Sequence, residues 1–230
     1  MSSTNVATRR TARIAGLWYL GLALAGMCGF LMIRPGLFAP GDPQLTLSQL
    51  LANASLARAG IAFEMGVVIT QAMAAVWFFR LFRNVNVVAA GTLAAFGLCN
   101  ALAVLVSAAL IATAFDVALV PARVGAMDAA GAVQLLYLVS GELWVVGAVF
   151  FGLWLIPMGR LVLESGWMPR PLGWTLIVGG VGYVLSAFMS LLPELSVATS
   201  VATLPAAIGE FWMIGYLLWR GVRARPAGAP

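Results

Sequence analysis

Histidine and lysine are both absent: all 13 basic residues of the 230-residue chain are arginine. Without histidine there is no His-ligated haem, no His-based metal site and no imidazole general base. Without lysine there is no Schiff-base chemistry, retinal attachment included. Cysteine is scarce too. Cys28 and Cys99 lie in different apolar stretches and form no CxxC pair, so they read as small buried hydrophobes rather than redox or metal ligands. Charge is the largest deficit. Only 9% of residues are charged against 62% hydrophobic, at a mean hydropathy of +0.99, and a soluble domain of this size could not cover such a core.

What remains is long unbroken apolar runs. A membrane β-barrel would instead alternate over ten-residue segments, so the expected fold is all-α, a six-helix transmembrane bundle. The first span is read as 14–33, about 20 residues and therefore of spanning length. Arg9-Arg10 before it resembles a twin-arginine export signal, and Leu24 to Cys28 a lipoprotein processing site. The apolar run is longer than a signal core, and Met27 stands where a small residue is needed, so the helix is read as retained. Further spans are expected near 58–82, 87–115, 132–159, 171–192 and 204–219, the last with Pro205 in its first turn. A short amphipathic helix near 46–57 is expected on the membrane surface, with Thr46 and Gln49 as a capping box.

Arginines divide unevenly between the two sides this topology defines. Ten (Arg9, Arg10, Arg13, Arg80, Arg83, Arg160, Arg170, Arg220, Arg223 and Arg225) fall on the side of the termini, and three (Arg34, Arg58 and Arg123) on the other. The bias puts both termini, residues 1–13 and 222–230, in the cytoplasm of a bacterial inner-membrane protein. The net charge of +5 therefore speaks to membrane orientation and not to nucleic acid.

One pattern occurs twice. Residues 141–147 read Gly-Glu-Leu-Trp-Val-Val-Gly and residues 209–215 read Gly-Glu-Phe-Trp-Met-Ile-Gly, with a weaker echo in Phe63-Glu64-Met65-Gly66. Carboxylates inside spans are costly, so Glu64, Glu142 and Glu210 are the candidate binding residues for a proton, a cation or an amine-bearing ligand. Glu64 and Glu142 lie roughly 24–27 Å from the arginine at the end of their spans and Glu210 about 15 Å, at about 1.5 Å per residue. The three glutamates are candidates to face one cavity. Glu and the Trp two residues on differ by about 200° around a helix, so if Glu142 faces the bundle, Trp144 faces lipid. Asn100 and Tyr183 are candidate partners for the carboxyls, with Gln71, Gln134, Tyr137, Ser186 and Tyr216 as further donors; Arg58 reaches the level of Glu64 only by bending inward.

A second set of residues carries a resemblance. Phe150-Phe151-Gly152-Leu153, Gly159, Ser165-Gly166, Pro169-Arg170, Leu172-Gly173 and Gly180 with Gly182-Tyr183 resemble the bacterial membrane family catalogued as domain of unknown function 4386. Gly41-Asp42, Leu50 to Asn53, Arg58 to Ile61, Gly209-Glu210 and Trp219 extend the likeness over nearly the whole chain. The resemblance implies a six-helix bacterial inner-membrane protein and no assigned activity. The family pattern often places histidines around the fourth helix; this chain has none, so histidine-dependent family chemistry is not expected here.

No cofactor and no metal site are expected. Expected partners are the lipid bilayer, a small cationic or lipid-like ligand, and a second copy of the chain. Two other functions remain open: a structural or sensory membrane partner, suited by the small-residue runs Ala25 to Gly29 and Gly179 to Gly182, and an intramembrane lipid- or isoprenoid-modifying enzyme. The second lacks a nucleophile–base pair and a DxxD cluster.

Overall fold

A computed structural model describes residues 3–223, and the chain is all-helical there. The α-helices are α1 (Ser3–Gly26), α2 (Pro43–Ala52), α3 (Ala54–Phe82), α4 (Val87–Leu119), α5 (Ala129–Ser165), α6 (Arg170–Met189) and α7 (Ser196–Trp219). Six stretches are long and apolar enough to cross a membrane: Thr8–Gly36, which includes most of α1, and the helices α3 to α7. This is a multi-pass membrane protein. Apolar residues surround these helices on all sides, as lipid on one face and packing on the other demand.

Helix ends differ most from the sequence expectation. α5 runs on through Arg160 to Ser165, with Pro157 inside it. α7 begins at Ser196, eight residues ahead of the expected start, and Pro205 lies in its interior instead of its first turn. Hydropathy marks only the stretch needing hydrocarbon, whereas a helix continues until its ends are capped. α1 starts at Ser3, and after Gly26 the first span widens into a π-helical stretch, Met27–Ile33, followed by a 3₁₀ turn at Arg34–Gly36. The expected tail position Arg225 lies outside the described residues.

The capping box expected at Thr46 is corrected. α2 begins at Pro43, and its N-cap is Asp42, whose carboxylate accepts from the Leu45 amide at 2.9 Å. Thr46 is fully buried instead. Its hydroxyl donates to Gln134 Oε1 at 2.8 Å and accepts from the Ala39 amide at 3.1 Å, which ties α2 to the first turns of α5. Asn86 and Asp128 cap α4 and α5 in the same way, accepting from Ala89 N and from Ala130 N and Gly131 N.

The chain divides into two compact units. The first holds residues up to 20, residues 70–100 and residues from 147 onward; the second holds 21–69 and 101–146. In the first unit α5 and α6 run antiparallel at very close range. A Cβ at Gly152 would lie well inside 3 Å of the Gly180 carbonyl oxygen, and one at Gly159 equally close to that of Gly173. Seven residues separate the glycines on each helix, so two contacts two turns apart set the register. Gly179 and Gly182 do the same for α6 against Ala206 and Ala202 of α7. This small-residue run is thus spent on packing within the chain. The second unit has its core around Leu50, Phe115, Val133 and Tyr137.

Candidate functional site

Each unit has a carboxylate with a hydroxyl and an indole beside it, buried in the second unit and half-buried in the first. In the second unit the carboxylate is Glu64, 3% exposed. Ser107 of α4 donates to its Oε2 at 2.8 Å. The Ser107 and Ser140 hydroxyls lie 2.8 Å apart, and Trp144 Nε1 reaches Ser107 Oγ at 3.2 Å. Because Ser107 gives its proton to Glu64, Ser140 must donate to Ser107. Arg34 begins this chain, donating to Ser140 Oγ at 2.9 Å and to the Tyr137 carbonyl. The order is therefore Arg34 to Ser140 to Ser107 to Glu64.

Arg34 is the residue that the sequence reading missed here. Its Arg-Pro-Gly context reads as a loop, yet Arg34 directly follows the π-helical stretch and its side chain folds back over Phe30. The guanidinium lies over the rings of Phe30, Phe38 and Tyr137 at 5.4, 5.8 and 5.4 Å. Its NH1 stands 3.8 Å from Glu64 Oε1, an ion pair by distance but too long for a hydrogen bond. Arg58 does not supply this charge; it sits over Phe115 at 5.5 Å.

In the first unit the carboxylate is Glu210 of α7. Tyr19 of α1 donates to Glu210 Oε1 at 2.7 Å, and the Trp154 indole packs against the Tyr19 ring. Tyr19 and Trp154 are 2% and 1% exposed. Their rings and that of Phe78 meet edge to face at 5.4–6.1 Å, which fixes the phenol. Gly97 makes room for Trp154, since a Cβ there would fall inside the indole ring. Among the described residues no arginine lies within 4 Å of Glu210. Tyr183 is half-buried and packs on Phe151 at 5.9 Å. Asn100 is 1% exposed, and its Nδ2 has no hydrogen-bond partner among the described residues, nor has Oε1 of Gln71. Tyr19 gave no local signal: its partner is 191 positions away.

A family model covers residues 14–221, nearly the whole chain. The chain belongs to the family of domain of unknown function 4386. No curated protein and no solved structure matches it. The DUF4386 assignment confirms the resemblance read from the glycine, proline and aromatic pattern, and it brings no activity with it.

Within this DUF4386 chain the doubled motif points two ways. Glu210 turns inward to Tyr19 while Trp212 is 38% exposed. In the other copy Trp144 turns inward to Ser107, and Glu142 is exposed. The 200° relation holds in both copies, but which member faces in is decided by the neighbours: Gly141 sits against Arg34, where a Cβ would lie 3.2 Å from NH2. Glu142 thus stands apart from the Arg34–Glu64 chain, on a stripe with Leu135, Leu138, Val139, Val145 and Val146, all exposed.

Proposed function

We propose that the chain is a membrane binding or transport protein for a proton or a small cation, amine-bearing ones included, and that Glu210 is the carboxylate that takes it. One observation carries the reading: Glu210 is held by a rigid neutral phenol and faces no arginine within 4 Å among the described residues. A carboxylate in apolar surroundings needs positive charge from somewhere, and no arginine among the described residues supplies it within 4 Å. Glu64 differs in having Arg34 as counter-charge. The proposed setting is a bacterial inner membrane with both termini cytoplasmic, supported by the ten-to-three division of arginines.

The test is a comparison of wild type with Glu210→Gln and Tyr19→Phe. Melting is followed with sodium, potassium, ammonium and methylammonium at fixed pH and ionic strength, and proton flux after a pH jump is followed in proteoliposomes. At least one response is expected in wild type. A ligand at a hundred times its Kd stabilises by about 2.7 kcal/mol. Glu210→Gln should abolish that response and Tyr19→Phe should weaken it, since a hydrogen bond to a charged group is worth about 1.5–3 kcal/mol. If neither response depends on Glu210, the reading is rejected.

The exposed Glu142 favours a second reading, that the chain serves an assembly. A carboxyl on an apolar helix face in a membrane requires a donor from another molecule, and a second copy of this chain is the simplest source. Glu142→Leu is then expected to lower the oligomeric mass in mild detergent, measured by light scattering, with the cation response intact. An unchanged mass removes this reading.

A further inference from the structure

A groove of about 420 Å³ opens in the first unit between the start of α4 and the second half of α5. Its wall is apolar, formed by Phe96, Leu153, Ile156 and Pro157, and its rim carries Asn86 and Arg160. Thr92 adds no free donor to the wall, because its hydroxyl donates to the Val88 carbonyl at 2.8 Å. The rim is organised. Arg160 Nε bonds Glu164 Oε1 at 2.6 Å, and Asn86 Nδ2 bonds Glu164 Oε2 at 3.0 Å. Glu164 thereby orients the guanidinium through its Nε, while the Arg160 side chain is 63% exposed. Arg83 is exposed in the short turn just before Asn86.

Position makes this arrangement specific. Arg160 lies within two turns of the end of α5, and Asn86 immediately precedes α4, so the rim stands at helix ends and the wall runs from it along the spans. An exposed, oriented guanidinium above an apolar wall suits a lipid with an anionic head, the phosphate on the guanidinium and an acyl chain on the wall. Basic pockets between spans are a recurrent form of such recognition. We propose that the groove holds one anionic phospholipid, its phosphate on Arg160 and an acyl chain along Phe96, Leu153 and Ile156.

The experiment is native mass spectrometry of the full chain in detergent, titrated with phosphatidylglycerol or phosphatidylcholine bearing identical acyl chains. Wild type is expected to retain phosphatidylglycerol preferentially. Arg160→Gln, a change at an exposed side chain, should weaken phosphatidylglycerol binding about fivefold and leave phosphatidylcholine unchanged. Arg220→Gln, outside the groove, should alter neither. Equal retention of the two lipids by wild type overturns the proposal, as does a preference that survives Arg160→Gln. An equal loss in Arg220→Gln would show diffuse surface charge instead of a site. Displacement of the lipid by soluble glycerol phosphate at equal concentration would show an anion site without a chain, and would also overturn it.

Discussion

Glu64→Leu is expected to destabilise the protein by about 3–5 kcal/mol, because it leaves Arg34 buried without its carboxylate. The loss is read as a drop in melting temperature or as the shift of an SDS-denaturation midpoint. Arg34 has neutral partners as well, Ser140, the Tyr137 carbonyl and three rings, but none of them cancels a full charge. The double variant Arg34→Met with Glu64→Leu removes both ions and should regain most of the loss, since an apolar pair of similar volume is often as stable as a buried ion pair. Additive losses in the double variant would mean that the two side chains do not interact across their 3.8 Å separation. Ser107→Ala should fall between, at roughly 1–3 kcal/mol, for it leaves a carboxylate oxygen without its donor.

Gly152→Val should be at least as damaging, on the order of 4 kcal/mol or more, and is expected to lower the yield of folded protein after detergent extraction. The obstacle at Gly152 is backbone: the Gly180 carbonyl and the Val184 amide, neither of which can turn aside as a side chain can. Relief requires α5 and α6 to separate, and separation would also undo the Gly159–Gly173 contact two turns away. Gly215→Ala is the matched control. It sits in α7 with no neighbour within 4 Å of an added Cβ, and a change within about 0.5 kcal/mol is expected. A normal melting profile for Gly152→Val would contradict the close approach of the two helices.

The membrane class and the six spans were legible because hydrocarbon imposes length and composition directly on each segment. The family was legible because close helix contacts impose glycine at set intervals, as at Gly152, Gly159, Gly173 and Gly180. The contents of the two carboxylate centres were not. Arg34 followed by Pro35-Gly36 has the composition of a loop, and only the path of the first span shows it turned toward Glu64. Tyr19 and Glu210 lie at opposite ends of the chain, and no periodicity links them. The doubled Gly-Glu-x-Trp shows why a motif stops short of a site. Helix geometry sets the angle between Glu and Trp, but the absolute rotation of each helix comes from what packs beside it: Arg34 against Gly141 in one copy, and Leu176 against Gly209 in the other.

Glu210, and not Glu64, is the carboxylate proposed to take a cation from outside the protein. The most direct test is equilibrium binding, by calorimetric titration, of whichever cation of the series raises the melting temperature most. The titration is made on wild type, Glu210→Gln and Glu64→Gln. The expected result is a single saturable site in wild type, at least about tenfold weaker binding in Glu210→Gln, and binding within about twofold of wild type in Glu64→Gln. Wild-type affinity in Glu210→Gln, or an equal loss in both variants, would contradict it.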